Sequence, residues 1–279
     1  MSDRPVPAQR DLVQSFERGL AVIRAFSDSD GQLTLSEVAE RANVTRAAAR
    51  RFLLTLIELG YMHSDGKVFT LRPTILELGN AYLSSARLGD VALPYMKDLV
   101  KAVGDSSALC VLSGDDIVYV ALARVPAHRV MAINVTVGAQ LPAYPTSMGR
   151  VLLAGQQTDW LEEYLARTTF RQVTPYTIED PDKLRAILQG VARDGYSIVD
   201  QELDLGLRSI AVPLKRPDGT VFAALNVSMH PAQRPAESVR DDLLDRLQAT
   251  ARMIEADMNG IARRRSAISD DESDVYAGR

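Results

Sequence analysis

The chain has 279 residues, of which 46% are hydrophobic and 24% charged, so it is long enough for two domains with buried cores. Its net charge of −4 argues against a uniformly basic surface for nucleic acid. Cys110 is the one cysteine, which excludes an internal disulfide framework and a cysteine-rich metal site. No leader or long apolar stretch is visible, so we expect a soluble cytoplasmic protein with no membrane partner.

The first predicted elements are short, capped helices. Residues 1–12 are polar and expected to be flexible, and an apolar residue at every third or fourth position predicts a helix over Val13–Phe26. The capping-box pattern TLSE at Thr34–Glu37 begins a second helix that ends at Asn43, and Thr45 is a suitable N-cap for a third. Two helices joined by so tight a turn predict a helix-turn-helix.

The third helix, in the stretch VTRAAARRFLLTLIELGY at residues 44–61, carries its charge at its start. Arg46 and Arg50 share one face, and the alanines beside them allow close approach to a groove wall. The alternative is a solvent-exposed helix face with no binding role, which is what most clusters of charged residues on helices are. The predicted DNA contacts are Thr45, Arg46, Ala47, Arg50, Arg51 and Lys67.

A hairpin follows the third helix. YMHSDGKVFTL predicts two strands about a two-residue turn at Asp65 and Gly66. Capped helices also occur in plain bundles, but helix, capped helix, arginine-bearing helix and hairpin in this order favour a winged helix-turn-helix DNA-binding domain over residues 13–72.

The remaining chain is predicted to form a linker helix at 73–88 and a second domain at 89–260. Short β-rich runs alternate there with helical stretches, which indicates an α+β domain. The acidic, apolar-poor segment 261–279 is expected to be a disordered tail.

Catalytic and metal chemistry finds little support in the residues. His63, His128 and His230 lie far apart and lack metal-ligand spacing, so no metal and no cofactor is expected. Asp200, Glu202 and Asp204 alternate, but an exposed strand edge explains them as well as paired carboxylates do. We therefore expect a protein that is not an enzyme.

PTSMGR at 145–150 is the most informative feature of the second domain. A helix beginning near Ser147, with the amides of Met148 and Gly149 pointing outward, would bind a carboxylate, although a purely structural N-cap is the alternative. Small polar residues also interrupt apolar strands, at Ser209 and, two positions apart on one face, at Asn226 and Ser228. Such residues among apolar neighbours indicate a small-molecule pocket.

Four blocks in this order resemble the IclR family of bacterial transcriptional regulators: SFERGLAVIRAF, LTLSEVAERANVTRAAARRFLLTLIELGY, LPAYPTSMGRVLLAG and YSIVDQELDLGLRSIAVPL. The resemblance spans residues 14–260 and implies an N-terminal winged helix-turn-helix, a linker helix and a GAF-like effector domain. RAAARRFLLTL, DQELDLGLRSIAVP and AALNVS are most similar to regulators of protocatechuate and 4-hydroxybenzoate degradation through the β-ketoadipate pathway.

The resemblance also implies partners and a pocket. The partners are double-stranded promoter DNA, a small organic acid effector and further copies of the chain, as homodimer or tetramer. Val199 stands where some relatives have an acidic residue, so control by an effector from another carboxylic-acid pathway is the alternative. Two functions from other classes also stay open, namely an enzyme and an architectural DNA-binding protein that needs no ligand. The implied pocket residues are Val130, Ile133, Leu141, Ser147, Met148, Leu207, Ser209, Asn226 and Ser228.

Overall fold

The computed structural model describes residues 12–27, 31–79, 87–125 and 135–277, the last range with side chains to residue 260. The chain divides into two compact units, Met1–Ser85 and Ala86–Arg279. Each unit is described by itself below.

The first unit combines three helices with a small antiparallel sheet. Its helices are α1 (Gln14–Arg24), α2 (Leu35–Arg41) and α3 (Arg46–Glu58), and its strands are β1 (Leu33–Thr34), β2 (Met62–Ser64) and β3 (Val68–Leu71), in the order β1-β3-β2. Val22, Val38, Leu53 and Met62 are fully buried at its centre. The order of elements confirms the predicted winged helix-turn-helix.

Local capping sets the helix boundaries of this unit. The Thr34 hydroxyl accepts a hydrogen bond from the Glu37 amide, and the Glu37 carboxylate accepts one from the Thr34 amide, which completes the predicted capping box. Asn43 has a φ of 51°, the left-handed conformation that ends a helix. The Thr45 hydroxyl accepts a hydrogen bond from the Ala48 amide, so both predicted caps of the helix-turn-helix are confirmed.

The hairpin turn is longer than the sequence predicted. Asp65, Gly66 and Lys67 separate β2 from β3, and Asp65 Oδ1 accepts hydrogen bonds from the amides of Lys67 and Val68 at 2.8 and 2.9 Å. Because the aspartate side chain satisfies two backbone donors, a three-residue turn replaces the two-residue one.

The segment after the hairpin begins with Pro73–Ile75 as a 3₁₀ turn, and residues 76–79 are helical. Residues 80–86 of the predicted linker helix at 73–88 lie outside the described residues. Arg87 has a φ of 46°, so the next helix starts only at Leu88.

The second unit is an antiparallel sheet with helices on both faces. Its strands are β4 (Ser106–Ser113), β5 (Asp116–Ala123), β6 (Gln140–Pro142), β7 (Ser197–Asp200), β8 (Arg208–Lys215) and β9 (Val221–Met229), in the order β6-β5-β4-β9-β8-β7. Its helices are α4 (Leu88–Val103), α5 (Ser147–Ala154), α6 (Thr158–Arg167), α7 (Pro181–Asp194) and α8 (Ala236–Ala277). This arrangement is the α+β, GAF-like fold that the resemblance implied.

Alternating strand residues build a separate core on each face of the sheet. Leu109, Ile210 and Leu225 pack with α4 and α8, whereas Ala108, Ala211 and Ala224 face α5, α6 and α7. The alternation follows from the two-residue period of a strand. The residues on the α5 side are small, which leaves room there for a cavity.

The last helix extends further than predicted. α8 continues to Ala277, through most of the segment 261–279 for which disorder was expected. The segment after Gly260 contains neither proline nor an interior glycine, and its alanine and arginine residues favour helix. Within the described ranges, no helix is long and apolar enough to cross a membrane.

Candidate functional site

The six predicted DNA contacts are all exposed on the first unit. Arg46, Ala47, Arg50 and Arg51 occupy the first two turns of α3, and Lys67 lies at the tip of the hairpin. Among the described residues, none of the three arginines forms an ion pair with a carboxylate, so their guanidinium groups are available to an external anion.

The arrangement suits a polyanion. The Thr45 hydroxyl oxygen caps α3, which leaves the hydroxyl proton available to an acceptor. Arginine can donate to phosphates or, in pairs of hydrogen bonds, to guanine edges in the major groove. Ala47, one residue after Arg46, leaves the helix start slim enough for that approach.

A cavity lies in the second unit between the α5 face of the sheet and the start of α5. Its lining combines hydroxyl and amide groups with apolar walls, which is typical of a small-molecule site. The lining residues are Ser106, Ser107, Ala108, Tyr119, Leu122, Arg124, Val135, Pro145, Thr146, Ser147, Met148, Val199, Leu203, Leu207, Ser209, Asn226 and Ser228.

Strand register aligns the polar residues of the cavity in a row. Ser106 pairs with Ser228, Ser228 with Ser209, and Ser209 with Val199. Four neighbouring strands thus present three serines and then a valine, over roughly 14 Å if strands are about 4.8 Å apart. The row is polar at its β4 end and apolar at its β7 end.

Hydrogen bonds fix the side chains around this row. The hydroxyls of Ser147 and Ser209 are 2.8 Å apart and joined by a hydrogen bond. Asn226 accepts a bond from the Ala108 amide through Oδ1 and donates to the Ser228 hydroxyl through Nδ2, at 2.8 and 3.0 Å. All four side chains are buried, so a ligand would meet donors and acceptors that are already oriented.

The start of α5 differs in detail from the prediction. Thr146 is the N-cap, and its hydroxyl accepts a hydrogen bond from the Gly149 amide at 2.9 Å. The Gly149 amide is therefore not free for an anion, as the sequence had suggested. Ser147 and Met148 are the first two helical residues, whose amides have no carbonyl partner within the helix.

The cavity contains most of the predicted effector residues. Ser147, Met148, Leu207, Ser209, Asn226 and Ser228 all line it. Leu141 does not, because β6 pairs with β5 at the sheet edge, opposite Ile117, and the Leu141 side chain packs on the α5-side core instead. Val130 and Ile133 lie outside the described residues.

Sequence reasoning missed several lining residues. Arg124 lines the cavity one position after β5 and donates to the Val135 carbonyl. Ser106 and Tyr119 line it from β4 and β5. The pairing register of the β4–β5 hairpin, in which Ser107 pairs with Ala123, determines which residues of these strands are neighbours. That register cannot be predicted from the sequence without knowing the turn.

The acidic triplet is not an exposed strand edge. Glu202 is buried and forms an ion pair with Arg150, with 2.6 Å between Oε2 and Nη2. Asp200 forms an ion pair with Arg208 at 2.8 Å, and Asp204 accepts a hydrogen bond from the Gly206 amide. The three carboxylates therefore have separate partners, and each of them holds part of the β7–β8 segment.

Two family models match the chain. The one described as the IclR helix-turn-helix domain matches residues 15–66, and the one described as the bacterial transcriptional regulator IclR C-terminal domain matches residues 80–256. The two matches fall on the winged-helix unit and on the unit that holds the cavity.

Known proteins match over most of the chain. The Pca regulon regulatory protein of Pseudomonas putida is 43% identical over 87% of this chain and 83% of its own length. A solved structure from Rhodococcus sp. RHA1 is 46% identical, with a TM-score of 0.79 over 90% of this chain and all of that one. An IclR homologue from Microbacterium hydrocarbonoxydans, solved with 4-hydroxybenzoate, is 26% identical, with a TM-score of 0.77 over 88% and 99% of the two chains.

Proposed function

The chain belongs to the IclR family of bacterial transcriptional regulators, and on that premise we propose that it controls genes of aromatic-acid catabolism in response to a small carboxylic acid. Its winged helix-turn-helix unit binds promoter DNA and its GAF-like unit binds the effector. The proposed effectors are 4-hydroxybenzoate, protocatechuate and β-ketoadipate, and the proposed location is the cytoplasm, where the promoter is.

One observation carries the effector half of the proposal, namely the buried row of hydroxyls beside the start of α5. Ser147, Ser209 and Ser228 line a cavity together with the apolar Leu203 and Leu207. Hydroxyls and first-turn amides suit a carboxylate, and the apolar walls suit a ring or a carbon chain. The relative named for the Pca regulon and the homologue solved with 4-hydroxybenzoate support this choice of acids.

The mechanism follows from the two units. A homodimer or tetramer would place two winged helices on neighbouring half-sites, with Arg46 and Arg50 in the groove and Lys67 at the backbone. The effector would change operator affinity only if it binds more tightly to one of two relative placements of the winged-helix units than to the other. Binding without turnover is sufficient for this role, so no catalytic group is needed.

Control by an acid from another pathway is the second candidate, and the polar row also discriminates among the three acids of the first. Val199 gives the β7 end of the row an apolar side chain, so a ligand with a second charged group at that end would be poorly accommodated. This favours an acid with a single anionic end, such as 4-hydroxybenzoate, over a dicarboxylate such as β-ketoadipate.

The test is a gel shift with DNA from upstream of the protein's own gene and its neighbours, with and without each of the three acids. We expect the protein to bind and one acid to change its affinity. A shift that is indifferent to all three acids would contradict the proposed effector class. Arg46→Ala/Arg50→Ala serves as the matched DNA-binding-deficient control, and its retention of binding would contradict the proposed contacts.

A further inference from the structure

A buried ion pair lies close to the cavity, although neither of its residues lines it. Arg150 lies on α5, one turn after Ser147, and Glu202 lies in the β7–β8 segment, next to Leu203. The two side chains are 4% and 9% exposed and join Nη2 to Oε2 at 2.6 Å. Neither residue lines the cavity, but both neighbour residues that do.

The pair is the centre of a larger hydrogen-bond network. Arg150 also donates through Nε to the Tyr144 carbonyl at 3.0 Å, and Glu202 Oε2 also accepts from the Ile178 amide at 3.1 Å. The Thr177 hydroxyl donates to the Glu202 carbonyl at 2.6 Å, and the Thr174 hydroxyl donates to the Gln201 carbonyl at 2.7 Å. The network ties together the β6–α5 segment, the start of α5, residues 174–178 and the β7–β8 segment.

These segments form two parts of the cavity wall. The α5 wall is Pro145–Met148, and the β7–β8 wall is Leu203 and Leu207. A shift of either wall would break the Arg150–Glu202 contact, and both charges would then be left buried without a partner. The ion pair therefore couples the position of α5 to that of the β7–β8 segment.

Simple stabilisation is a poor reason for such a pair. Removing two charges from water costs several kcal/mol per ion, and apolar residues of similar volume often stabilise a fold as well or better. Burial lowers the pKa of the Arg150 guanidinium, while Glu202 opposes that effect. A charged pair does, however, fix geometry, because its fork-shaped donor accepts few alternative arrangements.

We propose that Arg150 and Glu202 are positioning residues for the effector, which hold the two cavity walls at the separation that the ligand needs. The inference rests on the proposed function, since it concerns the same cavity. It predicts that the pair determines effector affinity beyond its contribution to folding.

The experiment compares three variants of the full-length protein by calorimetric titration with 4-hydroxybenzoate and by thermal unfolding. Glu202→Gln keeps the shape and removes the charge. Arg150→Met/Glu202→Met replaces the pair with apolar residues of similar volume. Glu162→Gln is the matched control, because it removes a carboxylate from an ion pair with Arg185 that is partly exposed.

We expect Glu202→Gln to weaken effector binding about tenfold, within the range known for residues that act without touching a ligand. The double methionine variant should recover thermal stability but not effector affinity, and Glu162→Gln should change neither. Recovery of effector affinity together with stability in the double variant would overturn the inference, as would wild-type affinity in a folded Glu202→Gln protein.

The wild-type titration separates this inference from the proposed function. If the unmodified protein binds none of 4-hydroxybenzoate, protocatechuate and β-ketoadipate, the proposed effector class is wrong. The pair would then be tested with whichever acid stabilises the wild-type protein in a thermal-shift series. If the wild type binds and the variants bind equally well, only the positioning role is wrong.

Discussion

In the first unit, called the DNA-reading unit below, the six proposed contact residues are all exposed. In the second unit, called the effector unit below, the hydroxyls and the amide side chain that line the cavity are buried. In the DNA-reading unit, exposed arginine and lysine side chains that contribute little to folding would bind a polyanion at the surface. A small ligand would be bound inside the protein by side chains that neighbouring residues hold in place, as Ser209 holds Ser147. Ligand binding and stability should therefore be separable in the first unit and, for the hydroxyls that line the cavity, coupled in the second.

The largest expected effect tests how tightly the effector unit is packed. A Cβ at Gly149 would lie 2.0 Å from the Ala143 carbonyl oxygen, a backbone atom that cannot move aside cheaply. We expect Gly149→Ala to destabilise the unit by about 3 kcal/mol and to abolish effector binding.

The matched control for this substitution is Gly190→Ala in α7, where the nearest heavy atom to the added carbon is the end of the Arg193 side chain at 3.7 Å. It should leave stability unchanged or raise it by up to about 1 kcal/mol. Thermal unfolding measures both variants, and equal melting temperatures for the two would show that the start of α5 is not tightly constrained.

The second effect tests separability in the DNA-reading unit. Arg46→Ala/Arg50→Ala should weaken operator binding at least about 30-fold, because each arginine contact is worth about 1–3 kcal/mol. Since both side chains are exposed, the melting temperature should stay the same. Arg193→Ala/Arg216→Ala, a pair of exposed arginines in the other unit with the same total charge change, is the control for operator binding in the gel shift.

The third effect tests coupling in the effector unit. Ser147→Ala leaves the buried Ser209 hydroxyl without its 2.8 Å partner, so effector affinity should fall about fivefold to tenfold and stability should fall with it. Operator affinity without effector should not change. Ser113→Ala, at the exposed end of β4, should have no effect on titration or unfolding, and an unaltered effector affinity in Ser147→Ala would discard the α5 start as the carboxylate site.

The smallest effect concerns a cap in the DNA-reading unit. Thr34→Ala removes one half of the capping box and should cost about 1 kcal/mol. Hydrogen bonds from the Thr34 amide and hydroxyl lower the pKa of the Glu37 carboxyl below its usual 4.5. A lowered pKa means stabilisation that is complete above the usual value and is lost as the pH falls through the folded value.

The acid limb of the unfolding profile measures this link. The wild-type melting temperature should fall as Glu37 is protonated, and the fall should be shallower in Thr34→Ala, whose carboxylate has lost its hydroxyl partner. Parallel pH profiles for the two proteins would show that the capping box contributes nothing in solution. Operator binding at neutral pH should be nearly the same in both.

The sequence by itself determined the features that depend on near neighbours. Thr34 and Glu37 are three residues apart, as are Thr45 and Ala48, and such pairs form whenever a helix starts there. The alternation of β-rich runs and helices was sufficient for the fold class. The placement of Ser147, Ser209 and Ser228 in one pocket came from resemblance, and their periodicity indicated only that Asn226 and Ser228 share a face.

The tertiary structure alone decided which distant residues meet. Arg150 and Glu202 are 52 positions apart, and Ser106 reaches Ser228 only because β4 pairs with β9 in one register. A shift of one residue in that register would turn every side chain to the opposite face. The resemblance implied Leu141 as a cavity residue, and the sequence left Glu202 open between an exposed edge and a carboxylate pair. Both positions are set by strand pairing and helix packing, which act between segments distant along the chain.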